Sequence, residues 1–122
     1  MPLQDWSEHI VLADLQDDPS FSDDLSSLYE QVEKNPHLDV MLNFAGVNYL
    51  NSSNLAKLLR LRKLTTIVNQ RKLILCSVST HVWGVFLTTG LNKTFEFADN
   101  VSVGLTSLQI DRSKEEAPSE DT

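Results

Sequence analysis

Two kinds of apolar run alternate along this chain, and their alternation predicts the architecture. Leu38 to Phe44 and Lys72 to Val78 are nearly continuous in apolar and β-favouring residues, the pattern of strands buried on both faces of a parallel sheet. His9 to Leu15, with Ile10, Val11, Leu12 and Leu15 apolar, predicts a strand before them, and Thr94 to Phe97 a short edge strand after them. Between the strands the apolar spacing lengthens to three and four. Leu25, Leu28 and Val32 predict a helix from about Ser22 to Lys34, with Ser20 or Ser22 as cap and Asp23 and Asp24 in its first turn. Asp17-Asp18-Pro19 ends the strand before that helix and Asn35-Pro36 stops the helix itself. Leu55, Leu58, Leu61, Leu64, Thr65 and Val68, widened by Leu59 and Ile67, predict a second helix to about Asn69. A third holds Val82, Val85, Phe86 and Leu87, opened by Ser79 or Thr80 and closed by Gly90. Asp99 or Asn100 caps a last one to about Ile110. The order β-α-β-α-β-α-β-α implies right-handed crossovers and an α/β fold, a mainly parallel sheet of about four strands flanked by helices. Its expected core is Val40, Leu42, Phe44, Leu55, Leu58, Leu73, Leu75, Val82, Phe86 and Leu91.

A length of 122 residues suits one domain, expected over residues 1–110, with 111–122 a polar, disordered tail. No apolar run approaches the roughly 20 residues needed to span a bilayer, and the N-terminus lacks the order of a secretion signal, so a cytoplasmic protein without membrane insertion is expected. Cys76 lies alone in an apolar strand and reads as a buried thiol. Charge is uneven: residues 1–39 carry −9, residues 40–110 carry +5 and the remainder −3, for a net −7. That balance speaks against nucleic acid, whose binding depends on Lys and Arg neutralising phosphates. The bases gather at Lys57, Arg60, Arg62, Lys63, Arg71 and Lys72; they fit a solvated helix face or part of a surface that meets an acidic partner.

Candidates for catalysis are sparse. His9, His37 and His81 are scattered, no Cys or carboxylate stands at metal-ligand spacing, and Asp17, Asp18, Asp23 and Asp24 lack the pattern of a calcium loop. Four glycines leave no phosphate-cradling loop and no nucleophile elbow. The expectation is a protein without cofactor or metal that is not an enzyme. The stretch that stands out is Asn43 to Leu59, where an apolar run stops, a turn passes through Asn51-Ser52-Ser53-Asn54 and an amphipathic helix begins. A helix start after a parallel strand offers unpaired N–H groups and positive partial charge, so Ser52 and Ser53 sit where a hydroxyl can cap the helix or a phosphate can be accommodated.

From Val40 to Asn100 the chain resembles the STAS domain of bacterial anti-sigma factor antagonists, whose central motif is Asp-Ser-Ser-Gly before a Leu-rich helix. The corresponding residues are Asn51-Ser52-Ser53-Asn54-Leu55, followed by Leu73-Ile-Leu-Cys-Ser-Val-Ser-Thr-His-Val82, Leu87-Thr-Thr-Gly90-Leu91 and Phe95. The resemblance implies a STAS-like fold, with room for an extra N-terminal strand that Leu3 to Trp6 could supply. It also implies partner switching in transcription regulation: the unmodified protein binds an anti-sigma factor that is a serine kinase, and phosphorylation of Ser52, less so Ser53, ends the binding. Asn51 and Asn54 depart from the family's Asp and Gly. A STAS module that is not phosphorylated, in a signalling scaffold or transporter complex, is the alternative, with Ser52 or Ser53 acting only as a helix cap. The expected partner surface is Tyr49, Leu50, Asn51, Ser52, Ser53, Asn54 and Lys57, joined by Thr80 and His81 at the start of the next helix.

Overall fold

The computed structural model describes residues 3–5 and 9–116. Strands β1 (Leu3–Asp5), β2 (Ile10–Gln16), β3 (Asp39–Gly46), β4 (Leu73–Cys76) and β5 (Glu96–Ala98) form one sheet in chain order. β2 to β5 run parallel, and β1 pairs antiparallel with β2. Helices α1 (Ser20–Lys34), α2 (Ser52–Arg62), α3 (Thr80–Thr89) and α4 (Val101–Glu116) follow β2, β3, β4 and β5.

Parallel neighbours joined by right-handed crossovers place their connecting helices on one face. Val11, Ala13, Leu15, Val40, Leu42, Phe44, Leu73 and Leu75 therefore meet α1, α2 and α3 through Leu25, Leu28, Leu58, Leu61, Val82 and Phe86. The alternate residues, Ile10, Leu12, Met41, Ile74 and Cys76, face Leu105 and Leu108 of α4. Both faces of the central strands are covered, which is why they read as unbroken apolar runs. Gly104 lets α4 approach closely, since a Cβ there would meet Met41 Sδ at 2.9 Å. Of the expected core, Leu55 and Leu91 are only partly buried and pack at its margin.

Four elements differ from the sequence expectation. The N-terminal strand is present as β1; Trp6, counted as its possible end, lies outside the described residues. α1 takes its cap from neither Ser20 nor Ser22, because Pro19 occupies the N-cap position and Asp18 Oδ1 accepts from Ser22 N (2.9 Å) and Ser22 Oγ (2.8 Å). α4 does not end near Ile110. It runs on because charge continues the anchoring that its apolar residues begin: Arg112 Nη2 reaches Asp39 Oδ2 at 3.1 Å and donates to His37 O at 2.9 Å. Asp39, 1% exposed at the start of β3, also accepts from Arg71 Nε (3.0 Å) and Lys72 N (2.9 Å). The helix read as one piece to Asn69 changes to a π-helix at Lys63–Val68. Its β-branched run Thr65-Thr66-Ile67-Val68 lies in that segment, and such residues lose side-chain freedom in a regular α-turn.

Candidate functional site

Because β2 to β5 are parallel, their carboxyl ends share one edge of the sheet. Asp17 and Asp18 emerge there from β2, Val47 to Asn51 from β3, Ser77 to Ser79 from β4 and Asp99 from β5. The loop after β3 leads into α2, whose start is built by two asparagines. Asn51 is the N-cap, extended at φ −112° and ψ 178°, and its Oδ1 accepts from Asn54 N at 2.8 Å. Asn54 Oδ1 accepts in return from Asn51 N at 3.0 Å. This reciprocal pair is a capping box with asparagine in both positions.

The cap therefore belongs to Asn51, which corrects the expectation that Ser52 or Ser53 could hold it. Extended backbone at Asn51 puts its own amide over the open N–H groups, while the serines already lie inside the first helical turn. Ser52 and Ser53 are exposed, and neither hydroxyl takes part in the cap. Asn54 is 1% exposed and donates from Nδ2 to Asp18 Oδ2 at 2.8 Å. Its side chain thus points inward and ties the start of α2 to the start of α1.

A second tie lies beside the first. Asp17 Oδ1 accepts from Asn48 N and Oδ2 from Asn48 Nδ2, both at 2.8 Å. Two of the four acids without a calcium-loop pattern, Asp17 and Asp18, are thus braces, separated in sequence from their partners by 31 and 36 residues. The Asn48 side chain holds the Asp17 carboxyl below its usual pKa, and the Asn54 and Ser22 side chains do the same for Asp18. Asp24 is instead buried, which raises its carboxyl pKa. No local sequence signal marks such pairings; an Asn at a helix cap facing an Asp after a strand is visible only once the strand order is known.

Tyr49 is 47% exposed, whereas Leu50 and Lys57 are half-buried, Leu50 against the core. Thr80 and His81 are exposed at the start of α3, where Ser79 Oγ accepts from Val82 N at 3.3 Å. Since β3 and β4 are neighbours, the turns before α2 and α3 sit side by side on the edge. The bases do not gather there. Arg71 pairs with Asp39 at the opposite edge, Arg62 Nε donates to Thr94 O at 3.0 Å, and Arg60 lies 4.8 Å over the Tyr29 ring. Lys57 alone of the six lies within the first turns of α2. Cys76 is buried, its thiol pushed up to about 11 by loss of water. Among the described residues no three His, Cys, Asp or Glu side chains converge as metal ligands, and no helix is long and apolar enough to cross a membrane.

A model of the STAS domain family matches residues 18–103. Among solved structures, a proposed anti-sigma factor antagonist from Thermotoga maritima superimposes with a TM-score of 0.75 at 14% identity, covering 88% of this chain and 93% of that one. An anti-sigma-factor antagonist (STAS) domain protein from Planctomyces limnophilus gives 0.71 at 18% identity, covering 82% and 91%. A serine-to-glutamate variant of RsbS from Moorella thermoacetica gives 0.77 at 13% identity, covering 91% and 96%. At these identities the likeness speaks for the fold. No curated protein matches the sequence.

Proposed function

The chain belongs to the STAS domain family, and from that premise we propose that it is a cytoplasmic, anti-sigma-factor-antagonist-like binding module whose affinity is switched by phosphorylation at Ser52. The carrying observation is the position of Ser52: exposed, in the first turn of α2, and relieved of the capping role by Asn51. A hydroxyl that supports no structure can be modified without loss of fold. The partner is an anti-sigma factor with serine kinase activity, meeting the edge through Tyr49, Leu50, Ser52, Lys57, Thr80 and His81. Ser53 is the second modifiable hydroxyl.

Phosphate brings about −1.5 to −2 charge and three acceptor oxygens. The helix N-terminus tolerates that charge, but a protein packed against the turn loses its fit and meets new repulsion. The departures from the motif bear on this in opposite ways. Asn54 puts a side chain where the family has glycine, yet that side chain is directed inward to Asp18 and leaves the surface open. Asn51 keeps the cap but supplies no negative charge beside Ser52. That missing charge favours the second reading, a STAS module that binds without being switched, in a signalling scaffold or transporter complex.

Binding titrations with the cognate kinase separate the two. Under the switch, Ser52→Asp weakens binding by tenfold or more with an unchanged melting temperature, and Ser52→Ala binds whether or not ATP is present. Wild-type affinity in the Asp variant would favour the unswitched module.

A further inference from the structure

The ladder between β4 and β5 ends at the pair Cys76–Ala98. Beyond it Ser77 takes a left-handed conformation, φ +58°. Past the last rung, on the carboxyl edge, is a cleft of about 270 Å³ lined by Val78, Trp83, Phe97, Ala98 and Asp99. Trp83 and Phe97 pack edge-to-face, with ring centroids 4.9 Å apart. None of the five lining residues is basic, and among the described residues no ion pair engages Asp99.

We propose that this cleft seats an arginine side chain of the protein partner, the guanidinium against the Trp83 ring and paired with the Asp99 carboxylate. The inference rests on the protein-binding reading above and names what that partner brings. Indole is the strongest aromatic partner for a cation, and a planar guanidinium both stacks on a ring and forks onto a carboxylate, which an ammonium cannot do. Charge is complementary over a wider area. Asp17, Asp18 and Asp99 lie on this edge against the one lysine Lys57, while Arg71, Lys72 and Arg112 lie around Asp39 at the amino end of β3 and β4. Tryptophan and arginine are also enriched among the residues that carry most of the binding energy at protein interfaces. A cleft beside the start of α3 would extend the Ser52 surface, since Thr80 and His81 lie between the two.

The test uses the full chain, labelled with nitrogen-15, titrated at constant ionic strength with N-acetyl-arginine amide and, separately, with the neutral isostere N-acetyl-citrulline amide. The Trp83 indole N–H and the Val78 and Asp99 amides should shift with a dissociation constant on the order of 10 mM, the scale expected of so small a fragment. Citrulline should bind at least fivefold more weakly, and Asp99→Asn should weaken arginine binding at least fivefold at unchanged melting temperature. Equal shifts with both probes, an unchanged constant in Asp99→Asn, or no shift at these resonances up to about 100 mM overturns the assignment. The Ser52 reading is judged separately. Arginine binding in the cleft together with wild-type kinase affinity in Ser52→Asp would leave the cleft standing and the switch refuted.

Discussion

Replacing Asn54 with alanine removes both functions that this one side chain performs. Its Oδ1 bond to Asn51 N is half of the capping box, and its Nδ2 bond to Asp18 Oδ2 holds the start of α2 against the start of α1. A neutral hydrogen bond contributes about 0.5 to 1.5 kcal/mol and one to a charged group about 1.5 to 3. Asp18 is half-buried, so solvent replaces part of the second bond and a total loss of about 2 to 3 kcal/mol is expected. For a chain of this size that lowers the melting temperature by about 8 to 12 °C. The loss should depend on pH with a definite sign. Asn54 and Ser22 hold the folded-state pKa of Asp18 below the usual 3.8, so this contribution is complete above that value and disappears as pH falls through the lower, folded-state pKa. The gap between the thermal melts of wild type and Asn54→Ala should therefore be narrower below pH 3.8 than at pH 7, keeping only the capping part of the loss. A double-mutant cycle with Asp18→Ala should return a coupling of at least about 1 kcal/mol. A drop of under about 3 °C at pH 7, or a difference that stays constant with pH, would refute the reasoning.

Other outcomes follow from the same geometry. Asn51→Ala should lose about 0.5 to 2 kcal/mol in denaturant unfolding as the N-cap disappears, whereas Ser52→Ala should stay within about 0.5 kcal/mol of wild type. Asp39→Ala takes from Arg71 and Arg112, each about 15% exposed or less, the carboxylate they share, and should cost about 3 to 5 kcal/mol by the same measurement. Gly46→Ala places a Cβ 2.9 Å from the Leu15 carbonyl oxygen at the carboxyl end of the β2–β3 pairing, so a loss of about 1 to 3 kcal/mol is expected. Leu42→Ala or Leu75→Ala, both fully buried, should cost about 2 to 5 kcal/mol.

Most of the fold was legible because two-face burial writes itself into composition. The runs around Met41 and Ile74 could not be amphipathic strands, and Gly90 and Ser79 marked the limits of α3 where they occur, Gly90 with φ +77°. The motif around Ser52 was legible as a place, though not as a set of roles. Four neighbouring polar residues could each have capped α2, and the choice of Asn51 rests on a backbone angle that the sequence does not encode locally. The braces at Asp17 and Asp18 were hidden for a different reason. Their partners stand a strand and a helix away, and a run of acids before a helix looks the same whether solvated or satisfied. The length of α4 was misjudged because Arg112 reads as a polar tail residue until Asp39 is seen to be buried beneath it.

The central claim is that Ser52 is the switch. Its most direct test is to incubate the protein with ATP and its cognate serine kinase, map the product by mass spectrometry, and measure partner affinity before and after. One phosphate on Ser52, none in Ser52→Ala, and at least tenfold weaker binding of the modified protein are expected. A protein that binds the kinase yet stays unmodified after incubation with ATP, or a phosphorylated one that binds with undiminished affinity, would contradict the claim.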